Sequence, residues 1–145
     1  MTVTEFLKDN VPFLQGLTEE QAGALARAAE QLPFKKGQTV IFQGSTVDGL
    51  HVVASGQVSV MIRPDKGRKE MLQVALLGPG DVFGESSIVE FTTAAATIKS
   101  AADDTLVFMI PESVFTSLLE SDEALRERTL ALIAARRKGR QDANT

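Results

Sequence analysis

Few side chains in this 145-residue sequence are equipped for bond-making chemistry. It has no cysteine and one histidine, His51. A thiol nucleophile, a disulfide, a thiolate metal site and any mechanism needing two histidines are therefore excluded. Ser86 and Ser87 lie far from His51 in the chain, and a serine without a base beside it is not an activated nucleophile. Glu85 alone is not a paired carboxylate system, and Asp103-Asp104 reads as a solvated turn. The residues point to binding, with no catalytic residue and no metal. His51, in Leu50-His-Val-Val53, is expected on a sheet surface or as the partner of a carboxylate. Arg136-Arg137-Lys138-Gly139-Arg140 reads as cations at the C-terminal end of a helix, where the macrodipole favours them. A nucleic-acid contact is the alternative, but a formal net charge of −4 argues against a general nucleic-acid binder. Phenylalanine is the only aromatic side chain present, so any stacking platform is built from Phe alone.

The elements that must position these residues fall into three zones. The first is helical, over about residues 4–32. Thr4–Leu14 reads as a short helix broken near Pro12. Thr18-Glu19-Glu20-Gln21 is a capping box, and Ala22, Leu25, Ala26, Ala29 and Leu32 follow at helical spacing up to Pro33. The second zone, about 34–110, reads as short strands between glycine turns. They are Thr39–Phe42, Leu50–Val53, Gln57–Ile62, Met71–Leu77, Ala95–Ile98 and Thr105–Ile110, with Arg63-Pro-Asp-Lys-Gly67 as a hairpin loop. In the third zone, about 112–140, one helix begins near Pro111 and Ser121-Asp122-Glu123 caps a longer one reaching about Arg140. Gln141–Thr145 is expected to fray. Helices segregated from a run of strands give an α+β class. The length suits one domain, and no secretory signal or membrane span is recognisable, so a cytoplasmic location is expected.

Phe83-Gly84-Glu85, placed after the Gly78-Pro79-Gly80-Asp81 turn and before Ser86–Phe91 and Thr93–Ile98, resembles the phosphate-binding cassette of the cyclic nucleotide-binding domain family. That family includes the cAMP-receptor regulators and the kinase regulatory subunits. Phe13-Leu14…Leu17-Thr18 is similar to the family's entry helices. Gly37…Ile41-Phe42-Gln43-Gly44 and Ser55-Gly56-Gln57-Val58 are similar to its glycine turns. The ordered set covers nearly the whole chain. It implies a β-roll, or jelly roll, flanked by N-terminal helices and a long C-terminal helix, in one domain over residues 1–145. It also implies a ligand pocket at Phe83, Gly84, Glu85, Ser86, Ser87, Ala94, Ala95 and Thr97, with cAMP or cGMP as the ligand.

In the family, a glutamate after Phe-Gly accepts from the ribose hydroxyl, an arginine nine residues on clamps the phosphate, and backbone amides at the start of a short helix face the anion. Here the glutamate is Glu85, and the arginine's position falls on Ala94, with Ala96-Thr97-Ile98 keeping the register. Ser86 stands where the family has an aliphatic residue, and Ser87 fits its small position. Losing one partner of a buried charge pair costs about 2–5 kcal/mol, enough to take a micromolar ligand to about millimolar. Lys99, by strand alternation, faces away from Ala94 and does not substitute. Thr97 is expected to serve the sheet.

Three readings stay open. The chain is a regulatory module degenerate for cyclic nucleotides, or a genuine receptor using Glu85 and backbone amides, or a ligand-free interaction domain whose pocket is filled by side chains such as Phe91. Glu85 itself is either a ribose ligand or a vestigial carboxylate. Thr129–Ala135 is apolar on all faces and needs two covers. One is the roll; the other is a second copy, as the resemblance implies, in a homodimer with Leu125 and Leu132 at the seam, or the chain's own N-terminal helices. A separate output protein is the expected partner, and no DNA-binding element is expected in this polypeptide.

Overall fold

The computed structural model describes residues 1–63 and 70–144, with side chains described as far as residue 140. The hairpin loop expected at 63–67 lies outside the described residues from position 64 onward. Helix α1 (Val3–Asp9) and a 3-10 turn (Pro12–Leu14) lead into α2 (Glu19–Ala28). The capping box forms as expected: Thr18 Oγ1 accepts from the Gln21 amide at 3.1 Å, and Gln21 Oε1 accepts from the Thr18 amide at 2.9 Å.

Helix α2 ends earlier than its apolar spacing predicts. The chain turns at Ala29 and runs as strand β1 (Glu30–Phe34), which pairs antiparallel with β8 (Thr105–Pro111). Leu32, expected on the helix, lies opposite Val107. Pro33 is tolerated within β1 because β1 is the edge strand of its sheet, so its missing N–H can face away from the ladder. Sheet pairing overrides a helical periodicity that the sequence carries only weakly. The β-roll therefore begins near residue 30 rather than 34.

The remaining strands are β2 (Thr39–Ile41), β3 (Gly49–Ser55), β4 (Val58–Ile62), β5 (Leu72–Leu77), β6 (Val82–Phe83) and β7 (Thr97–Ser100), with helix α3 (Glu85–Glu90) between the last two. Two antiparallel four-stranded sheets result, in the orders β1-β8-β3-β6 and β2-β7-β4-β5. Strand β6 was not anticipated, being two residues long. The expected strand at Ala95–Ile98 starts two residues later, at Thr97.

Strand β3 is buried on both faces, which is why it reads as a nearly unbroken apolar run. Leu50 and Val52 join the helix-side core with Leu7, Leu14, Phe108, Phe115 and Leu125. Val53 joins a second core with Ile41, Val58, Phe83, Ala94, Ile98 and Val107. Phe6 meets Phe108 edge-on at 5.9 Å between ring centroids.

Helix α4 (Glu112–Ser121) follows β8 directly, and α5 (Glu123–Asn144) follows α4. The Asp122 carboxylate caps α5 by accepting from the Leu125 amide at 3.0 Å. Helix α5 continues past its expected end at Arg140 as far as Asn144. Leu125 is fully buried in this chain's own core and Leu132 packs against it. Neither is placed as a dimer seam, because the 3-10 turn, α3, α4 and β5 already pack against α5. Among the described residues of α5, the large apolar side chain left at the surface is Leu130, 53% exposed.

Candidate functional site

The site is built where β6 runs into α3. Gly84 makes the turn with φ near +90°. A Cβ there would sit 3.0 Å from the Gly49 carbonyl and 3.1 Å from Val47 Cγ1, so both conformation and space require glycine. Glu85 follows as the first residue of α3 and is buried, only 2% exposed. Beneath it, His51 and Phe83 are a cross-strand pair with rings stacked at 4.9 Å. His51 is 6% exposed, and its Nδ1–H donates to the Gly49 carbonyl at 2.9 Å. It is neither on the sheet surface nor bonded to a carboxylate, as the sequence had suggested. Burial pushes its pKa down to about 4, with the Gly49 bond and nearby Asp48 opposing.

The buried Glu85 carboxylate has a partner that the sequence reading missed. Arg136 of α5 donates from Nη1 to both Glu85 oxygens at 2.9 Å, and from Nη2 to the Val82 carbonyl at 2.5 Å. The next residue, Arg137, pairs with Glu90 at the other end of α3. Two arginines of the basic cluster thus pack α5 onto the cassette. The signal was present in the spacing. Leu125, Thr129, Ile133, Arg136 and Arg140 recur at intervals of three and four, so the arginines prolong the buried stripe of α5.

On the other side of the site, the loop before β7 is fixed by backbone pairing. The Ala94 amide donates to the Ser45 carbonyl and the Gly44 amide donates to the Ala94 carbonyl, each at 2.8 Å. Ser87 Oγ donates to the Thr93 carbonyl at 3.3 Å. Thr97 Oγ1 accepts from the Gln43 amide at 3.0 Å, the sheet role expected of it.

Between these walls lies an open cleft of about 450 Å³, its mouth included. Of the expected residues, Phe83, Gly84, Glu85, Ser86, Ser87, Ala94 and Ala95 line it and Thr97 does not. Ile41, Val47, Val60 and Ile98 supply an apolar wall, and Arg136 and Arg140 enter from α5. Phe91, suggested as a pocket-filling side chain, is instead 88% exposed and sits outside the cleft in a left-handed backbone conformation. Arg140 is half-buried. Burial, then the neighbouring Arg137, lowers its guanidinium pKa from the usual range, and Arg136 acts the same way, while Glu85 and Glu90 oppose. Lys99 is not among the lining residues.

Residues 31–122 match the cyclic nucleotide-binding domain. The chain belongs to that family. A cyclic nucleotide-binding domain is shared with a CRP-like cAMP-activated global transcriptional regulator of Mycobacterium tuberculosis, 34% identical over 87 residues, 58% of this chain and 38% of that one. The fold is that of the regulatory domain of Toxoplasma gondii PKA solved with cAMP, with a TM-score of 0.79 at 22% identity, over 89% of this chain and 48% of that one. It is also similar to the regulatory subunit of a cAMP-independent protein kinase A from Trypanosoma brucei, with a TM-score of 0.77 at 26% identity, covering 88% and 46%. The cyclic nucleotide-binding domain here thus spans less than half the length of each of these proteins. Among the described residues, no helix is long and apolar enough to cross a membrane.

Proposed function

We propose that this chain is a non-catalytic regulatory module of the cyclic nucleotide-binding fold, degenerate for cAMP and cGMP, that signals through α5 to a separate output protein. The observation that carries this reading is the engagement of Glu85. The carboxylate that would accept from a ribose hydroxyl is already bonded through both oxygens to Arg136. Ala94 supports it from the other side. We read Ala94 as the position of the family's phosphate arginine, in keeping with its place on the cleft wall with Glu85. A cyclic nucleotide would have to displace a charge-assisted hydrogen-bonded guanidinium and do without a phosphate clamp. A module of this fold that does not answer to cAMP is in keeping with the similar Trypanosoma brucei regulatory subunit, which belongs to a protein kinase A described as cAMP-independent.

Two copies of the chain are proposed to meet through the exposed side of α5 that carries Leu130, not through Leu125 and Leu132. The exposed Leu130 supports this choice.

Calorimetric titration of the full chain with cAMP and with cGMP, up to about millimolar, tests the main reading. No binding heat is expected from either nucleotide. Micromolar binding of either would favour a genuine receptor that uses Glu85 and backbone amides.

A further inference from the structure

Three charged side chains line the cleft: Glu85, Arg136 and Arg140. Glu85 and Arg136 are bonded to each other, and the adjacent Arg137 is taken by Glu90. Of the charges that line the cleft, Glu85 and Arg136 thus offset each other, and the positive charge in surplus falls on Arg140. Among the described residues, none makes a hydrogen bond or an ion pair with it. A half-buried guanidinium has shed part of its hydration, so an incoming anion is worth more to it than to a surface arginine. Ile41, Val47, Val60 and Ile98 give the cleft an apolar lining, with the small Ala94 among them. An apolar lining with one cation that no described residue pairs matches the composition of small-ligand pockets.

We propose that the cleft binds a small organic anion, a carboxylate or phosphate carried on an apolar body, with Arg140 of α5 as its charge partner. The inference rests on reading the cleft as a ligand pocket, and it moves the anion contact from the cassette loop to the C-terminal helix. It asks nothing of Glu85, which stays bonded to Arg136. Occupancy would tie α5 to the roll through the ligand as well as through Arg136, coupling the pocket to the helix proposed to carry the output.

The test is a titration of the full chain followed through its arginine Nε–Hε resonances, using benzoate, phenyl phosphate, inorganic phosphate and benzyl alcohol as probes. Benzoate or phenyl phosphate is expected to shift the Arg140 resonance with a Kd of about 1 mM or tighter. Which of the two binds more tightly separates a carboxylate from a phosphate site. Inorganic phosphate lacks the body and benzyl alcohol lacks the charge, so each should bind at least about tenfold more weakly. Arg140→Met should weaken the aromatic anions by about tenfold or more, and Arg140→Lys by less, with the amide spectrum confirming that both variants are folded. Affinity in Arg140→Met within about twofold of wild type, or inorganic phosphate binding as well as phenyl phosphate, would overturn the proposal. So would the absence of any shift up to about 10 mM. Titrating Ala94→Arg with cAMP separates the two levels. If that variant binds cAMP while wild type ignores every aromatic anion, only the Arg140 inference fails; if neither binds, the reading of the cleft as a ligand pocket fails with it.

Discussion

At the residue scale, the site rests on two buried titratable groups handled in opposite ways. Glu85 is paired with a guanidinium, whereas His51 is kept neutral by burial against Phe83, with a hydrogen bond to the Gly49 carbonyl. The neutral His51 makes folding depend on pH. The unfolded chain takes up this proton below about 6.5 and the folded chain only below about 4. Stability from neutral His51 is therefore fully present above pH 6.5 and is lost as pH falls towards 4, in total on the order of 3 kcal/mol. Urea denaturation at pH 7, 6 and 5 should show this slope in wild type and its loss in His51→Phe, which keeps a ring against Phe83. Equal slopes in the two proteins would show that His51 is not the group responsible. That Glu85 and Ala94 line one cleft was legible in the sequence, because both belong to a motif set off by glycine turns. The burial of His51 was not, because a two-residue strand such as β6 leaves no periodicity to show that a sheet neighbour covers it.

At the scale of elements, α5 is held to the rest of the chain by arginines that reach backbone carbonyls and carboxylates. Arg126 donates to the Leu119 carbonyl at 2.9 Å, at the end of α4. Arg128 donates to the Phe13 and Gln15 carbonyls at 3.1 and 2.9 Å, and Arg136 holds Glu85 and Val82. The first two contacts satisfy carbonyls left without partners near helix ends. The third is the one that couples α5 to the cleft. Arg136→Ala leaves a buried carboxylate without its partner and should cost about 2–4 kcal/mol. Glu85→Ala should cost less, because Arg136 is partly exposed and keeps the Val82 carbonyl. A double-mutant cycle read by denaturant unfolding should give a coupling of about 1–3 kcal/mol. Additive single effects would mean that the pair does not hold the helix. The Arg136 contact was hidden in the sequence because a cluster of cations near a helix C-terminus is already favoured by the macrodipole. The extent of α2 was misread for a related reason: alanines at helical spacing carry little information about whether a partner strand competes for the same residues.

At the scale of the whole molecule, the order of helices, roll and helices was legible from glycine turns, caps and strand patterning. The cover of α5 was not, since an all-apolar stretch does not say which face its own chain takes. The two leucine types on that helix now separate by location. Leu125→Ala should destabilise by about 3–5 kcal/mol, because it empties a fully buried position. Leu130→Glu should leave the chain folded and convert a dimer into a monomer in sedimentation, with any fall in unfolding midpoint confined to the dimer's mass-action contribution. A wild-type monomer at every concentration, or a Leu130→Glu dimer, would refute the proposed seam.

The central claim is that the cleft keeps the shape of a cyclic-nucleotide pocket without the means to hold its phosphate. The most direct test is to titrate wild type and Ala94→Arg side by side with cAMP in a calorimeter. We expect Ala94→Arg to bind at least about thirtyfold more tightly than wild type, the equivalent of restoring about 2 kcal/mol or more. Micromolar affinity in wild type, unchanged by the added arginine, would contradict it.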